Sequence, residues 1–157
     1  THAFNAMRPF PPPETGPIGY LLANKSLGAE LIYDRLHVSK EAATVLLSNK
    51  NEDDVVAVSD STQATGMPED QKLTMWGHEC VTGRGQVRLA SNNALAGSGI
   101  TLADAFRNLA EDFGAETAVR MCCLNPRKLL GWRGRARVYT EMSLQYEILG
   151  RKVRERV

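Results

Sequence analysis

Apolar and polar positions along the chain fall into a strand, helix, strand order, followed by hairpins, paired helices and a strand-rich tail. Val55-Val56-Ala57-Val58 places small and branched apolar residues in succession and predicts a fully buried strand of the kind a parallel sheet uses. Ala29-Glu30-Leu31-Ile32-Tyr33 predicts a second strand ahead of it. Between them Ser39 is placed to cap a helix that opens at Ala42, with Ala43, Val45, Leu46 and Leu47 on its buried face. That order is the parallel crossover unit, which is right-handed in nearly all folds. Upstream, Pro9, Pro11, Pro12, Pro13, Gly16, Pro17 and Gly19 predict a stiff loop, followed by a short helix over 20–25.

Downstream the texture changes. Gly77 and the Gly83-Arg84-Gly85 turn separate short alternating runs over 71–90, which predicts hairpins and leaves His78 exposed in a turn. Thr101 and Asp104 form a capping box with Asp in place of Glu. Ala105, Phe106, Leu109, Ala110 and Phe113 then recur at helical spacing up to Gly114. A second helix runs from Glu116 or Thr117 to Leu124 and is expected to halt at Asn125-Pro126, with a further turn over 127–130. Strands are expected over 136–139 and 145–149, with Gly150 turning the chain into Lys152-Val153.

Composition narrows the class. A chain of 157 residues, 43% hydrophobic and 24% charged, fits about one ordinary soluble domain. A formal charge of +1 gives no electrostatic case for nucleic acid or an anionic membrane. The basic residues Arg133, Arg135, Arg137, Arg151, Lys152, Arg154 and Arg156 alternate along strand-like segments and read as solvated faces. Cys80, Cys122 and Cys123 have neither metal-ligand spacing nor an even disulfide count, which points to a reducing, cytoplasmic compartment. No apolar run approaches the roughly 20 residues of a membrane span. The chain opens on Thr1 rather than Met, as a piece of a longer protein would.

Candidate chemistry collects at the ends of the predicted strands. Asp60 follows the Val55 run on its C-terminal lip, with Ser61, Thr62, Gly66 and Pro68 beyond it. In alternating strand–helix barrels reacting groups sit at such lips, whereas Asp also caps turns with no further role. A second ionisable group, Asp34-Arg35-Leu36-His37, sits at the end of the Ala29 strand, and His2 and Asn5 lie close to the start. His2 is open to service as a metal ligand, a base or a substrate contact, whereas a lone His near a chain start is by itself more often an idle solvated ring. Gly97-Ser98-Gly99 before a helix start either cradles an anion or simply turns the chain.

Together these segments resemble the C-terminal half of the N-acetylglucosamine-6-phosphate deacetylases of the amidohydrolase superfamily. Members carry TH-[LA]-[FY]-NAM, DG-x-H, TDA-x-x-x-x-G and LSGS in that order; here they stand as THAFNAM, DRLH, SDSTQATG and LAGS. Asn125-Pro126-Arg127-Lys128-Leu129-Leu130-Gly131 is similar to the family's NPA-x-x-LG ending. The likeness runs from Thr1 to about Gly134.

The resemblance implies an α/β fold: the C-terminal part of a (β/α)8 TIM barrel over 1–131, with the hairpins near 71–90 as an insertion, and strands of a small attached β-domain over 132–157. It implies His2 as a ligand of a divalent metal ion, zinc or iron, and Asp60 as the general base. Asn5, Ala6, Asp34, Arg35, Leu36, His37, Leu95, Ala96, Gly97 and Ser98 would surround an amino-sugar phosphate. A homodimer is implied for the full-length protein, and the piece alone is expected to be inactive. Two positions depart from the pattern: Pro13 stands where members carry a phosphate-binding Arg, and Arg35 where they carry Gly. Arg8 is the nearby candidate to replace the missing cation. The alternative expectation is a catalytically degenerate sugar-phosphate-binding or regulatory homologue.

Overall fold

The computed structural model describes residues 1–132 and, beyond them, the strands Ala136–Tyr139, Gln145–Leu149 and Lys152–Arg156. The crossover unit forms as its residues dictate. Strand β1 (Ala29–Ile32) pairs in parallel with β2 (Val55–Val58), joined by helix α2 (Lys40–Asn49). The Ser39 hydroxyl accepts from Ala42 N–H, so the cap falls where the sequence puts it, although the helix opens at Lys40. Ala43 and Leu46 are buried, but Val45 is 48% exposed and corrects the expected inner face. Val55 and Ala57 are buried whereas Val56 and Val58 are half-buried, so β2 is less completely covered than its composition predicts.

Helix α1 (Gly16–Ala23) begins inside the stretch expected to be loop. Pro17 sits in its first turn, where the missing N–H has no intrahelical partner to lose and the fixed φ suits the helix. Its carbonyl end is held by Lys50, whose buried ammonium donates to the carbonyls of Leu21, Asn24 (2.6 Å) and Leu27 (3.0 Å).

The predicted hairpins form β3 (Lys72–Met75), β4 (His78–Gly83) and β5 (Gln86–Leu89), with β6 (Leu95–Ser98) completing a four-stranded antiparallel sheet. His78 is exposed as expected. Helix α3 (Leu102–Phe113) carries the full capping box and ends at Gly114, whose φ of 89° suits glycine. Helix α4 (Ala115–Val119) then passes through a wider π turn over Arg120–Leu124 directly into α5 (Asn125–Leu129). Asn125-Pro126 therefore does not halt the helix. Asn125 N–H reaches back to Arg120 O, and Pro126 falls in the opening turn of the next segment, where no donor is required.

One core joins Leu31, Tyr33, Ala43, Leu46, Val55 and Ala57 to Leu109, Ala118 and Met121. A smaller cluster of Ala64, Met75, Cys80 and Val87 lies on the antiparallel sheet. The tail strands β7 (Ala136–Tyr139), β8 (Gln145–Leu149) and β9 (Lys152–Arg156) pair antiparallel in that order. The expected Gly150 turn and the faces of the basic residues there lie outside the described residues. Among the described residues no helix is long and apolar enough to cross a membrane.

Candidate functional site

Three chain segments bring their polar groups to the same end of the parallel strands. Ile32 pairs with Val58, so Asp34 and Asp60 each stand two residues past a common register. Ala3 N–H donates to Glu30 O at 2.7 Å and lays the chain start beside β1. Ser61 bridges Ser98 in parallel and Ser98 N–H donates to Asp60 O at 3.1 Å, which lays the end of β6 against the Asp60 tip.

Backbone strain is concentrated there. His2, Phe4, Ala6, Arg35 and Asp60 have φ of 34°, 74°, 53°, 64° and 50°, left-handed values that cost a side chain energy. Glycine would adopt these values freely, and Asp70, Trp76 and Asn93 share them away from the tips.

At the first tip the His2 ring Nδ1 lies 2.9 Å from Asn5 O, and Asn5 N–H closes the turn onto His2 O at 2.9 Å. A ring nitrogen tied to a backbone carbonyl fixes the tautomer and leaves Nε2 as the lone-pair donor, the arrangement metal-ligating histidines use. Among the described residues, however, no group of three or more His, Cys, Asp or Glu side chains gathers around a point, so His2 offers one ligand and the described residues do not complete a metal site. Asn5 is half-buried with Nδ2 on Ala3 O at 3.3 Å, and Ala6 is exposed.

At the second tip Asp34 is spent inside its own loop. Oδ1 accepts Leu36 N–H (2.9 Å) and His37 N–H (2.7 Å), and Oδ2 lies 2.6 Å from His37 Nδ1. The Asp34 side chain has no solvent exposure and that of His37 only 5%. Burial works against the Asp34 charge, but the His37 side chain and the two amides outweigh it and hold the carboxyl below its ordinary value. Asp34 thus orients His37, whose Nε2 faces no partner within the pair. Leu36 is 46% exposed. The Arg35 guanidinium turns to α3, with Nε 2.7 Å from Asp112 Oδ2 and Nη2 2.9 Å from Glu111 Oε2.

At the third tip Asp60 is exposed, and its carboxylate stands over β6. A Cβ added to Gly97 (φ 93°) would lie 4.0 Å from Asp60 Oδ2 and 2.5 Å from the Thr62 methyl, so a side chain there displaces the Asp60 loop. Thr65 Oγ1 donates to Ser98 O (3.2 Å) and Ser61 Oγ to Ile100 O (2.8 Å), which locks the two segments together. Leu95, Ala96 and Gly97 are half-buried; Ser98 is fully buried and its hydroxyl accepts Ile100 N–H, so it has an internal role.

Asp60 and 95–98 are thus in contact, Asp34 and His37 form a second unit, and His2 with Asn5 a third. A cavity of about 610 Å³ opens at the N-terminal ends of β1 and β2 beside Thr1, Glu30, Asp53 and Lys128, and none of His2, Asn5, Asp34, His37 or Asp60 lines it. Burial pushes the Cys122 thiol up to about 12, which makes it a poor nucleophile. The chemistry-bearing residues missed in the sequence are Asn108, Glu111 and Asp112, which hold the second tip from α3. Their helical i, i+3, i+4 spacing was visible, but their partners lie more than seventy residues away.

No family model matches the chain. A protein of Escherichia coli K12 named "Putative N-acetylgalactosamine-6-phosphate deacetylase" is 36% identical over 135 residues, which make up 85% of this chain and 79% of that protein. The N-acetylglucosamine-6-phosphate deacetylase of Bacillus subtilis is 34% identical over 111 residues, 71% of this chain but 28% of the relative, so the chain spans little more than a quarter of that protein. The crystal structure of N-acetylglucosamine-6-phosphate deacetylase from Thermotoga maritima shares the fold, with a TM-score of 0.80 at 24% identity, over 97% of this chain and 45% of that one.

Proposed function

We propose, for a chain that belongs to the N-acetylglucosamine- and N-acetylgalactosamine-6-phosphate deacetylase family, that it is the C-terminal part of a hydrolase removing the acetyl group from an N-acetylated amino-sugar 6-phosphate. N-acetylglucosamine 6-phosphate is the substrate we put first. The observation that carries the reading is the gathering of left-handed, non-glycine residues at adjacent strand tips, His2, Arg35 and Asp60 among them, with Asp34 and His37 in the same loop as Arg35.

In this reading β1 and β2 belong to a (β/α)8 barrel over 1–131 whose other strands come from outside the chain, and 132–157 belongs to a small β-domain. Asp60 is the general base. Its carboxylate takes a proton from water as the water oxygen bonds to the acetamide carbonyl carbon. It returns that proton to the sugar nitrogen as the C–N bond breaks, giving acetate and the free amine. His37, held in one orientation by Asp34, offers Nε2 to a sugar hydroxyl. Asn5, Ala6, Leu36 and the 95–97 segment wall the sugar, and Gly97 lets it approach Asp60 closely. Arg8 is the candidate for the phosphate: its contact with Glu14 is 3.5 Å long and both side chains are about three-quarters exposed, a pair too weak to occupy it. His2 would hold a divalent zinc or iron ion together with ligands from the rest of the barrel, and that ion would supply polarisation of the acetamide carbonyl. Arg35 turns its guanidinium to α3, which weakens one of the two departures, Pro13 and Arg35, that favour a degenerate homologue.

The test is acetate release from N-acetylglucosamine 6-phosphate and N-acetylgalactosamine 6-phosphate by the full-length protein that carries this chain, with and without a chelator. Turnover abolished by chelation and restored by zinc or iron is expected. Absence of turnover on both sugars, or turnover indifferent to the chelator, overturns the reading.

A further inference from the structure

The end of helix α3 is built into the His37 tip more tightly than packing requires. Asn108, Glu111 and Asp112 project from one face of the helix toward β1. Asn108 Nδ2 donates to Tyr33 O at 3.2 Å, and Asp112 Oδ2 accepts Tyr33 Oη–H at 2.9 Å and Arg35 Nε–H at 2.7 Å. Glu111 Oε2 and the Asn108 carbonyl both accept from Arg35 Nη2, at 2.9 and 3.3 Å, and Lys40 Nζ donates to Asp112 Oδ1 at 3.3 Å. The residues held, Tyr33, Arg35 and Lys40, bracket Asp34 and His37 on both sides in sequence. Tyr33 is fully buried and packs its ring 5.4 Å from that of Phe113. Burial, then the Asp112 carboxylate, pushes its phenol up to about 12, so it stays a neutral donor across the physiological range.

The other end of α3 is anchored at the Asp60 tip. Its cap residue Thr101 follows Ser98 by three positions, and Ser98 N–H donates to Asp60 O while Ser61 Oγ reaches Ile100 O. A single capped helix therefore touches both walls of the proposed site.

We propose that α3 is a strut that sets the placement of His37 relative to Asp60, with the Asn108–Glu111–Asp112 face as a socket and Arg35 as the key that fits it. The inference rests on the deacetylase reading for what His37 contacts. Arg35 and Asp112 are positioning residues, acting through the 33–38 loop and not on substrate. It explains a residue that costs backbone strain: at φ 64° glycine is the unstrained choice, and Arg35 earns its place by a forked guanidinium that two carboxylates grip.

Arg35→Gly removes the key at a position glycine tolerates, and Asp112→Asn keeps an acceptor for Tyr33 while removing the charge. Both are compared with the unsubstituted full-length protein that carries this chain, by steady-state kinetics on N-acetylglucosamine 6-phosphate and by hydrogen exchange of the peptides covering 33–40 and 55–62. Each substitution is expected to raise KM about tenfold while kcat changes by less than about twofold, because sugar binding loosens without loss of the base. Exchange over 33–40 is expected to quicken while 55–62 keeps its protection. Arg35→Lys, which retains charge without the fork, should behave like Arg35→Gly. Unchanged exchange over 33–40 in both variants overturns the strut, as does a loss of kcat with KM unchanged. If the unsubstituted protein turns over neither sugar, the deacetylase reading fails while the exchange arm still decides whether the socket holds the loop.

Discussion

Asp34 shows how one side chain can organise a site without entering it. Its carboxylate accepts two amides and faces the His37 ring, all within four residues of chain, and it is sealed from solvent. The sequence marked Asp34 and His37 as a pair at a strand end but gave no means of dividing their labour, because an Asx-type turn and a substrate contact use the same residue types. The structure assigns Asp34 to holding and leaves His37 Nε2 outside that pair. A pH dependence follows. The folded carboxyl titrates below the ordinary 3.8, so the unfolded chain takes up its proton first as pH falls. Asp34 therefore stabilises the fold fully above about pH 5, and that contribution is lost as pH drops through the folded value. Thermal melts at pH 7 and pH 3 should show a larger fall in Tm for the unsubstituted protein than for Asp34→Asn, which has no charge to lose. Equal falls would show that the Asp34 carboxylate contributes nothing through its ionised form.

Elements were legible where a local rule decides them. Ser39 and Thr101 sit at the caps their hydroxyls demand, the Val55 run is a strand, and the glycine turns over 71–90 are hairpins. Prolines misled twice, at Pro17 and Pro126, because a proline in a first turn and a proline that ends a helix look alike until the start of the helix is known. Val45 was misplaced for a related reason: which stripe of a short helix is buried depends on what packs against it. Asn125 shows the same limit from the other side. Read as a stop signal, it is buried at 2% exposure and donates from Nδ2 to Glu52 O at 2.8 Å and Val55 O at 2.6 Å, tying the helical segment to the entry of β2. Asn125→Ala removes the donor from the buried Val55 carbonyl and the partly buried Glu52 carbonyl and should cost about 1–3 kcal/mol in denaturant unfolding. A change below a few tenths of a kcal/mol would mean that water reaches those carbonyls and the tie is dispensable.

At the scale of the molecule, the chain presents a two-stranded parallel unit whose tips carry the polar groups, an antiparallel sheet joined to it at Ser61 and Ser98, and a helix that meets both. The motif order THAFNAM, DRLH, SDSTQATG and LAGS made the family legible before any coordinate, and DRLH and SDSTQATG each follow the end of a parallel strand. It did not reveal the socket, because the contacts from α3 to β1 depend on how the elements dock and not on any local pattern. Arg35 was the visible anomaly, a bulky cation at a glycine position, and only its partners on α3 explain it. The parallel pair and the chain start beside it agree with a larger barrel, the architecture proposed for the whole protein.

The central claim is that His2 and Asp60 do different work at one site, the first holding a metal and the second moving a proton. It is tested most directly by measuring bound metal and acetate release side by side in the full-length protein that carries this chain, for His2→Ala and Asp60→Asn. The account predicts that His2→Ala loses metal and activity together, whereas Asp60→Asn keeps near-normal metal and loses turnover by about a hundredfold or more. Equal loss of metal in both variants, or an Asp60→Asn protein that still turns over, would contradict it.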